Sequence, residues 1–255
     1  MRSEHMVRPA DILLLLVSVV ALAGCAGPGG GLGFPQCAPD QGTVEAPPKV
    51  RAGDTWTYRQ VDDYTGIDRG VFRVEVTGTG GNDIQARLNL PGGGVTAETY
   101  DSQWGWKTVS NRGWDWLSRL AFGSATVEFR PPFDSLPFPL HVGKSWRDSG
   151  VAINPATGGQ IAIQVASQAR CWESITVPAG AFTALRIERT GYVQDVAWNK
   201  SQTTLRMVDW YLPAVNRVVM TWHDSSYYDY QQAPRNALIR GDRLRWSLIE
   251  HKAAP

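Results

Sequence analysis

Short runs of alternating apolar and polar residues, separated by turn-forming residues, fill most of this chain. Residues 71–76 place Phe72, Val74 and Val76 at alternate positions, and residues 84–90 repeat the pattern after a glycine-rich turn. Because successive side chains of a strand point to opposite faces, this spacing predicts strands with one buried face. About ten such segments follow one another without alternating helices, which predicts an antiparallel meander.

Two segments depart from this pattern. Trp114–Phe122 has apolar residues at helical spacing, and its short length predicts a short helical segment only. Residues 131–139 contain four prolines, which disfavour a central strand and predict an extended arm. The predicted fold class is all-β and mainly antiparallel: a curved meander sheet forming a barrel, half-barrel or sandwich, with one short helical segment. The single β-rich domain is predicted to span residues 50–255.

The N-terminus carries a processing signal ahead of this domain. The apolar run Ile12–Leu22 follows Arg2 and Arg8 and is too short to span a bilayer, which is typical of a signal peptide. The next residues, Leu22-Ala23-Gly24-Cys25, resemble the lipobox of bacterial lipoproteins. This resemblance implies that residues 1–24 are removed and that Cys25 becomes a lipidated N-terminus.

The region after Cys25 predicts a tether and a location. Residues 25–49 are rich in glycine and proline and poor in apolar residues, which predicts a flexible tether between the lipid and the domain. Ala26 stands where lipoproteins retained in the inner membrane usually have aspartate. The lipoprotein resemblance therefore implies an outer-membrane lipoprotein facing the periplasm.

Cys25→Ala is expected to release the protein from the membrane fraction, because the acyl chains would be its only membrane anchor. Palmitate labelling followed by membrane fractionation checks this. A Cys25→Ala variant that still incorporates palmitate and sediments with membranes would contradict the prediction.

The net charge of the chain bears on nucleic-acid binding, and its cysteine content bears on disulfide formation. The chain has 25 basic and 24 acidic residues, so its net charge of +1 gives no indication of nucleic-acid binding. With Cys25 acylated, Cys37 and Cys171 are the two cysteines left in an oxidising compartment, where a disulfide between them is the expected state. A free buried thiol at Cys171 is the alternative. A disulfide would shorten the free tether to residues 26–36.

Several turn-and-strand motifs together resemble a group of uncharacterised bacterial secreted proteins and lipoproteins. The motifs are Gly53-Asp54-Thr55-Trp56-Thr57-Tyr58-Arg59, Pro139-Leu140-His141-Val142-Gly143-Lys144-Ser145-Trp146, Val177-Pro178-Ala179-Gly180-Ala181-Phe182-Thr183-Ala184-Leu185-Arg186-Ile187-Glu188 and Trp210-Tyr211-Leu212-Pro213. The resemblance covers residues 50–222 and implies a fold similar to the curved antiparallel sheets of the lipoprotein carriers LolA and LolB. These motifs contain no reactive constellation, so the resemblance leaves the function open.

Catalytic and metal-binding patterns are absent from the sequence. Gly143-Lys144-Ser145 lacks the first glycine of a phosphate-binding loop, and no Gly-x-Ser-x-Gly elbow occurs. His141, His223 and His251 do not have metal-ligand spacing. Acidic residues that could serve a glycosidase are common in turns as well; they are Asp62, Asp63, Asp224 and Asp229. We therefore expect a non-enzymatic protein with no catalytic residue, metal or cofactor.

The strongest candidate for a binding surface is a cluster of aromatic residues. Trp104 and Trp106 form one i, i+2 pair and Trp114 and Trp116 a second, and such pairs share a face of a strand. We expect the second pair to be structural. Trp104 and Trp106, with Tyr100 nearby on a polar hairpin, are the predicted ligand-binding residues.

Two functions remain open at this stage. A curved sheet with a concave surface would bind an apolar or glycan ligand, such as a lipid or a sugar. A flat exposed patch would instead indicate a structural or assembly lipoprotein that docks onto a protein partner in the cell envelope.

Overall fold

Twelve antiparallel strands form the part of the chain that the computed structural model describes, residues 36–110, 117, 124–231 and 236–255. The strands are β1 (Thr55–Asp62), β2 (Ile67–Gly80), β3 (Asp83–Asn89), β4 (Val95–Asp101), β5 (Trp106–Ser110), β6 (Thr126–Phe133), β7 (Ser145–Ile153), β8 (Gln160–Val177), β9 (Gly180–Val193), β10 (Thr203–Leu212), β11 (Arg217–Asp229) and β12 (Ala237–Lys252). A 3-10 turn, Pro213–Val215, joins β10 to β11.

The strands close into a barrel. Each strand pairs with its neighbours in sequence, and β1 pairs with β12 from Thr55 opposite Lys252 to Asp62 opposite Leu244. Closure gives every described strand two neighbours, which is how barrels avoid a free edge strand. The predicted all-β antiparallel class is confirmed, and of the three predicted arrangements the barrel is the observed one.

The alternating pattern defines the inner face of the barrel. On β2 and β3, Phe72, Val74, Ala86 and Leu88 are buried, whereas the residues between them are mostly exposed. Apolar burial of this kind, at roughly 25 cal/mol per Å², is the main favourable contribution to folding. The same face also carries buried polar residues on β9–β11, so the interior of the barrel is not purely apolar.

The proline-rich segment differs from the prediction. Strand β6 includes Pro131 and Pro132, although proline cannot donate a ladder hydrogen bond. The pairing of β6 with β7 ends at Arg130, and on the β5 side both prolines fall at the register shift between the pairs Glu128–Thr108 and Phe133–Trp106, where the regular ladder is interrupted. Only the remainder of the segment, residues 134–139, connects strands. The predicted helical segment, Trp114–Phe122, lies outside the described residues except for Leu117.

Part of the predicted tether is held against the barrel. The amide of Ala38 donates to the carbonyl of Trp172 at 2.7 Å, and Val44 and Leu140 exchange two backbone hydrogen bonds of 2.7 and 2.9 Å. Within the stretch predicted to be a flexible tether, Ala38 and Val44 therefore contact the barrel. Cys25 and residues 1–24 lie outside the described residues. No helix within the described residues has the length and apolar character needed to cross a membrane.

Candidate ligand site inside the barrel

A cavity of about 80 Å³ lies inside the barrel, walled largely by aromatic rings. An apolar cavity of about 150 Å³ holds a benzene molecule, so this cavity has room for a small ring or a short chain rather than for a large ligand. Its lining residues come from eight strands and from the β4–β5 and β6–β7 connections; they are Tyr58, Phe72, Tyr100, Trp104, Trp106, Asp134, Leu136, Arg189, Met207, Asp209, Arg217, Val218, Thr221 and Trp246.

Trp104 forms one wall of the cavity from the turn between β4 and β5. Its backbone has a φ of 63°, an unusual value for a large residue, and this conformation occurs in a turn whose amides are bound by the Asp101 carboxylate. The indole is only 6% exposed and lies edge-on to Trp56 and Tyr100, with ring centroids 5.5 and 5.1 Å away. Its Nε1 donates to the Asn216 carbonyl at 2.7 Å, so the ring is fixed by both packing and hydrogen bonding.

Trp106 and Tyr100 complete this wall. Tyr100 on β4 pairs with Trp106 on β5. Trp106 is half-buried and packs its edge against Phe129 at 5.6 Å between centroids. Tyr100 is buried, and its hydroxyl donates to the Glu98 carboxylate. The structure therefore brings the three predicted ligand-binding residues together, but inside the barrel rather than on an exposed hairpin. Trp114 and Trp116 lie outside the described residues.

A buried charged group also lines the cavity. Nε of Arg189 donates to the Asp209 carboxylate at 2.8 Å, and Nη1 donates to Asp134. The Thr221 hydroxyl donates to the other Asp209 oxygen at 2.8 Å. Burial raises the pKa of Asp134 to about 7 against the opposing charge of Arg189, and the nearby Asp209 adds to the rise. One guanidinium thus serves two carboxylates, and each carboxylate already has a partner.

Arg217 lies apart from this charged group. Its guanidinium stacks over Trp104 at 3.9 Å from the ring centroid and lies 5.4 Å from both the Trp56 and Tyr100 rings. The residue is 7% exposed, and its Nη1 is buried without a hydrogen-bond partner. Sequence reasoning missed Arg217 and Arg189. The available signal was an arginine at an inward position of a strand, as in Leu185-x-Ile187-x-Arg189.

The other residues considered for catalysis are scattered. His223 is buried, which lowers its pKa to about 3 and keeps the imidazole neutral. His251 stacks on Trp56, whereas the His141 ring is exposed in the β6–β7 connection. Asp63 and Asp224 pair with Arg245 and Arg243. Within the described ranges, no three His, Cys, Asp or Glu side chains are grouped to hold a metal ion.

A second feature is an exposed loop patch at the barrel end that carries the β9–β10 and β11–β12 connections. We define it by Val196, Trp198, Tyr228 and Tyr230, which are 63%, 81%, 49% and 46% exposed. Backbone hydrogen bonds join the two loops, including one of 2.8 Å from the Tyr230 amide to the Asn199 carbonyl. Val196 and Trp198 lie in the β9–β10 connection, Tyr228 lies at the end of β11, and Tyr230 follows it. Four exposed, largely apolar side chains at one end of the barrel form a patch of the kind used for docking.

Cys37 and Cys171 are joined by a disulfide, with their Cα atoms 5.7 Å apart. Cys171 lies on β8, and Cys37 forms an isolated bridge with the neighbouring Glu173. The bond therefore connects the N-terminal arm to the barrel wall, beside the hydrogen bond from Ala38 to Trp172.

Comparison with known proteins identifies structural neighbours only. No protein-family model matches the chain, and the search of curated proteins finds no relative. A "putative exported protein with YmcC-like fold" from Bacteroides fragilis is 12% identical, with a TM-score of 0.49 over 83% of this chain and 100% of its own. A "putative lipoprotein" from Parabacteroides distasonis is 15% identical, with a TM-score of 0.45 over 81% of this chain and 97% of its own.

A third solved structure is the "hypothetical lipoprotein YmcC" from Escherichia coli, which is 10% identical, with a TM-score of 0.38 over 80% of this chain and 85% of its own. The structural similarity is thus to YmcC-like exported proteins and lipoproteins. None of the three is described as a LolA or LolB carrier, so the predicted likeness to those carriers is not shown.

Proposed function

We propose that this protein is a lipid-anchored, non-enzymatic protein of the bacterial cell envelope, in the outer membrane facing the periplasm, that binds a small apolar or glycan ligand inside its barrel. The observation that carries the proposal is the cavity lined by Tyr100, Trp104 and Trp106 together with the buried charged group of Arg189 and Asp209. Ligand sites are typically concave and mostly apolar, with a few well-placed polar groups. The lipobox at Cys25 supports the envelope location.

The N-terminal arm contacts the connection that lines the cavity. The β6–β7 connection lines the cavity through Leu136 and also pairs with the arm through Leu140 and Val44. Further toward the N-terminus, the arm reaches β8, where Cys37 is bonded to Cys171.

Trp106→Ala is expected to weaken ligand binding at least tenfold, because stacking contacts concentrate binding energy in a few rings. The probes are glucose for a glycan and 1-hexanol for an apolar ligand, titrated by calorimetry, with native mass spectrometry of the gently purified protein to detect a retained ligand. Trp198→Ala is the matched control, since this tryptophan lies in the loop patch and not in the cavity. Equal binding by both variants, or no binding of either probe to the wild-type protein together with a ligand-free mass, would contradict the proposal.

The loop patch favours a second candidate function, docking onto a protein partner in the cell envelope. Its support is the exposure of Trp198 and Val196 beside the two tyrosines. In that case Trp198→Ala, and not Trp106→Ala, would abolish cross-linking to an envelope protein in intact cells. The same two variants therefore distinguish the two functions.

A further inference from the structure

We propose that Arg217 binds an acidic group of the ligand, so that the barrel selects an anionic molecule whose ring or apolar body fills the aromatic cavity. This inference rests on the proposed ligand-binding function and specifies the chemical class of the ligand.

The first argument is the state of the Arg217 guanidinium. It is buried to more than nine-tenths, Nη1 has no hydrogen-bond partner, and the described residues offer it no ion pair within 4.0 Å. Burying an unpaired charge is costly, and a guanidinium usually compensates with a carboxylate or phosphate. Its three aromatic contacts provide only part of that compensation, because a cation–π contact is weaker than a hydrogen-bonded ion pair with a carboxylate or phosphate.

The second argument is that the acidic residues of the cavity already have partners. Asp209 accepts from Arg189 and from Thr221, and Asp134 accepts from Arg189. Neither forms an ion pair with Arg217, although both line the same cavity. The donor that remains for a ligand is therefore cationic, and its complement is an anion.

The third argument is the placement of the free donor beside the rings. Arg217 lies directly over Trp104, which forms the wall of the cavity with Tyr100 and Trp106. A ligand whose ring or chain contacts these aromatic side chains would bring an attached carboxylate or phosphate within reach of Nη1. The cavity volume of about 80 Å³ limits the enclosed part of such a ligand to a small ring or a short chain.

Two matched pairs of probes test the proposal: glucuronate against glucose, and hexanoate against 1-hexanol. In calorimetric titrations of the wild-type protein, the acid of at least one pair is expected to bind about tenfold or more tightly than its neutral partner, the range for a hydrogen bond to a charged group. Preference within the first pair would identify an acidic sugar, and preference within the second an apolar acid. Equal binding of acid and neutral compound in both pairs would overturn the proposal and leave the ligand-binding function intact.

Variants assign the preference to one residue. Arg217→Gln is expected to abolish the preference for the acid, and Arg217→Lys, which keeps the charge, to retain part of it. Arg243→Gln is the control, because Arg243 also stacks on aromatic rings, at 4.3 Å from Tyr64 and 5.3 Å from Trp222, but does not line the cavity.

If Arg217→Gln does not fold, the comparison of Arg217→Lys with the wild-type protein on the same two pairs of probes tests the assignment. An Arg217 variant that keeps the full acid preference, or a loss of preference in Arg243→Gln, would overturn the assignment. Failure of every probe to bind, together with a ligand-free mass of the purified protein, would remove the ligand-binding function and this inference together; a retained ligand without an acidic group would overturn this inference alone.

Discussion

Trp104→Ala is expected to lower the free energy of unfolding by about 3–5 kcal/mol, the usual range for removing a large aromatic side chain from a core. The indole is 6% exposed, packs edge-on against Trp56 and Tyr100, and donates a hydrogen bond to the Asn216 carbonyl. Its removal leaves a cavity and an unsatisfied buried carbonyl, and it takes away the ring beneath the Arg217 guanidinium. Chemical denaturation followed by far-ultraviolet circular dichroism measures the change without depending on tryptophan fluorescence.

Two other tryptophans calibrate this prediction. Trp106→Ala should cost less, because that ring is only half-buried, and Trp198→Ala should change stability by less than about 0.5 kcal/mol, as exposed substitutions usually do. Their order, Trp104 above Trp106 above Trp198, is the informative result. A Trp104→Ala variant as stable as Trp198→Ala would show that the ring is not a core residue, and the geometry of the cavity would then be wrong.

The fold class could be predicted from sequence because alternation is a local property. Phe72, Val74 and Val76 determine which face of their strand is buried, whatever strand pairs with them. Closure of the barrel is not local. The pairing of Thr55 with Lys252 depends on the twist and curvature summed over twelve strands, and no short motif encodes that sum. The sequence therefore left barrel, half-barrel and sandwich as alternatives.

The candidate site was predictable only in part, for a similar reason. The aromatic cluster is visible in sequence because Tyr100, Trp104 and Trp106 lie within seven residues of each other. The interior position of Trp104 depends on its φ of 63° in the β4–β5 turn, which alternation does not predict. The charged partners are harder still, since Arg189 joins Asp134 and Asp209 across separations of 55 and 20 residues. Only the closed barrel brings these residues to one cavity.

The N-terminal arm shows how such a long-range contact can be fixed covalently. The disulfide between Cys37 and Cys171 closes a loop of 134 residues. In the chain-entropy model, closing a loop of this length lowers the entropy of the unfolded chain enough to raise the free energy of unfolding by about 5 kcal/mol. Cys37 is exposed, whereas Cys171 is 7% exposed on β8. Replacing Cys37 therefore removes the bond with little loss of packing, and replacing Cys171 removes the bond and some packing as well.

Cys37→Ser is expected to lower the free energy of unfolding by about 2–5 kcal/mol, with Cys171→Ser at the upper end of this range. All variants should carry Cys25→Ser, which prevents Cys25 from forming a disulfide with whichever of Cys37 and Cys171 remains. The protein with Cys25→Ser alone is the reference. The Ala38 and Val44 amides should also exchange with solvent faster, because only their hydrogen bonds to Trp172 and Leu140 would then hold the arm. Denaturation curves with and without reductant, together with hydrogen exchange of these two amides, measure both effects. If the reductant changes neither the stability of the reference protein nor the protection of its arm, the disulfide does not hold the arm to the barrel, and the hydrogen bonds of Ala38 and Val44 suffice to do so.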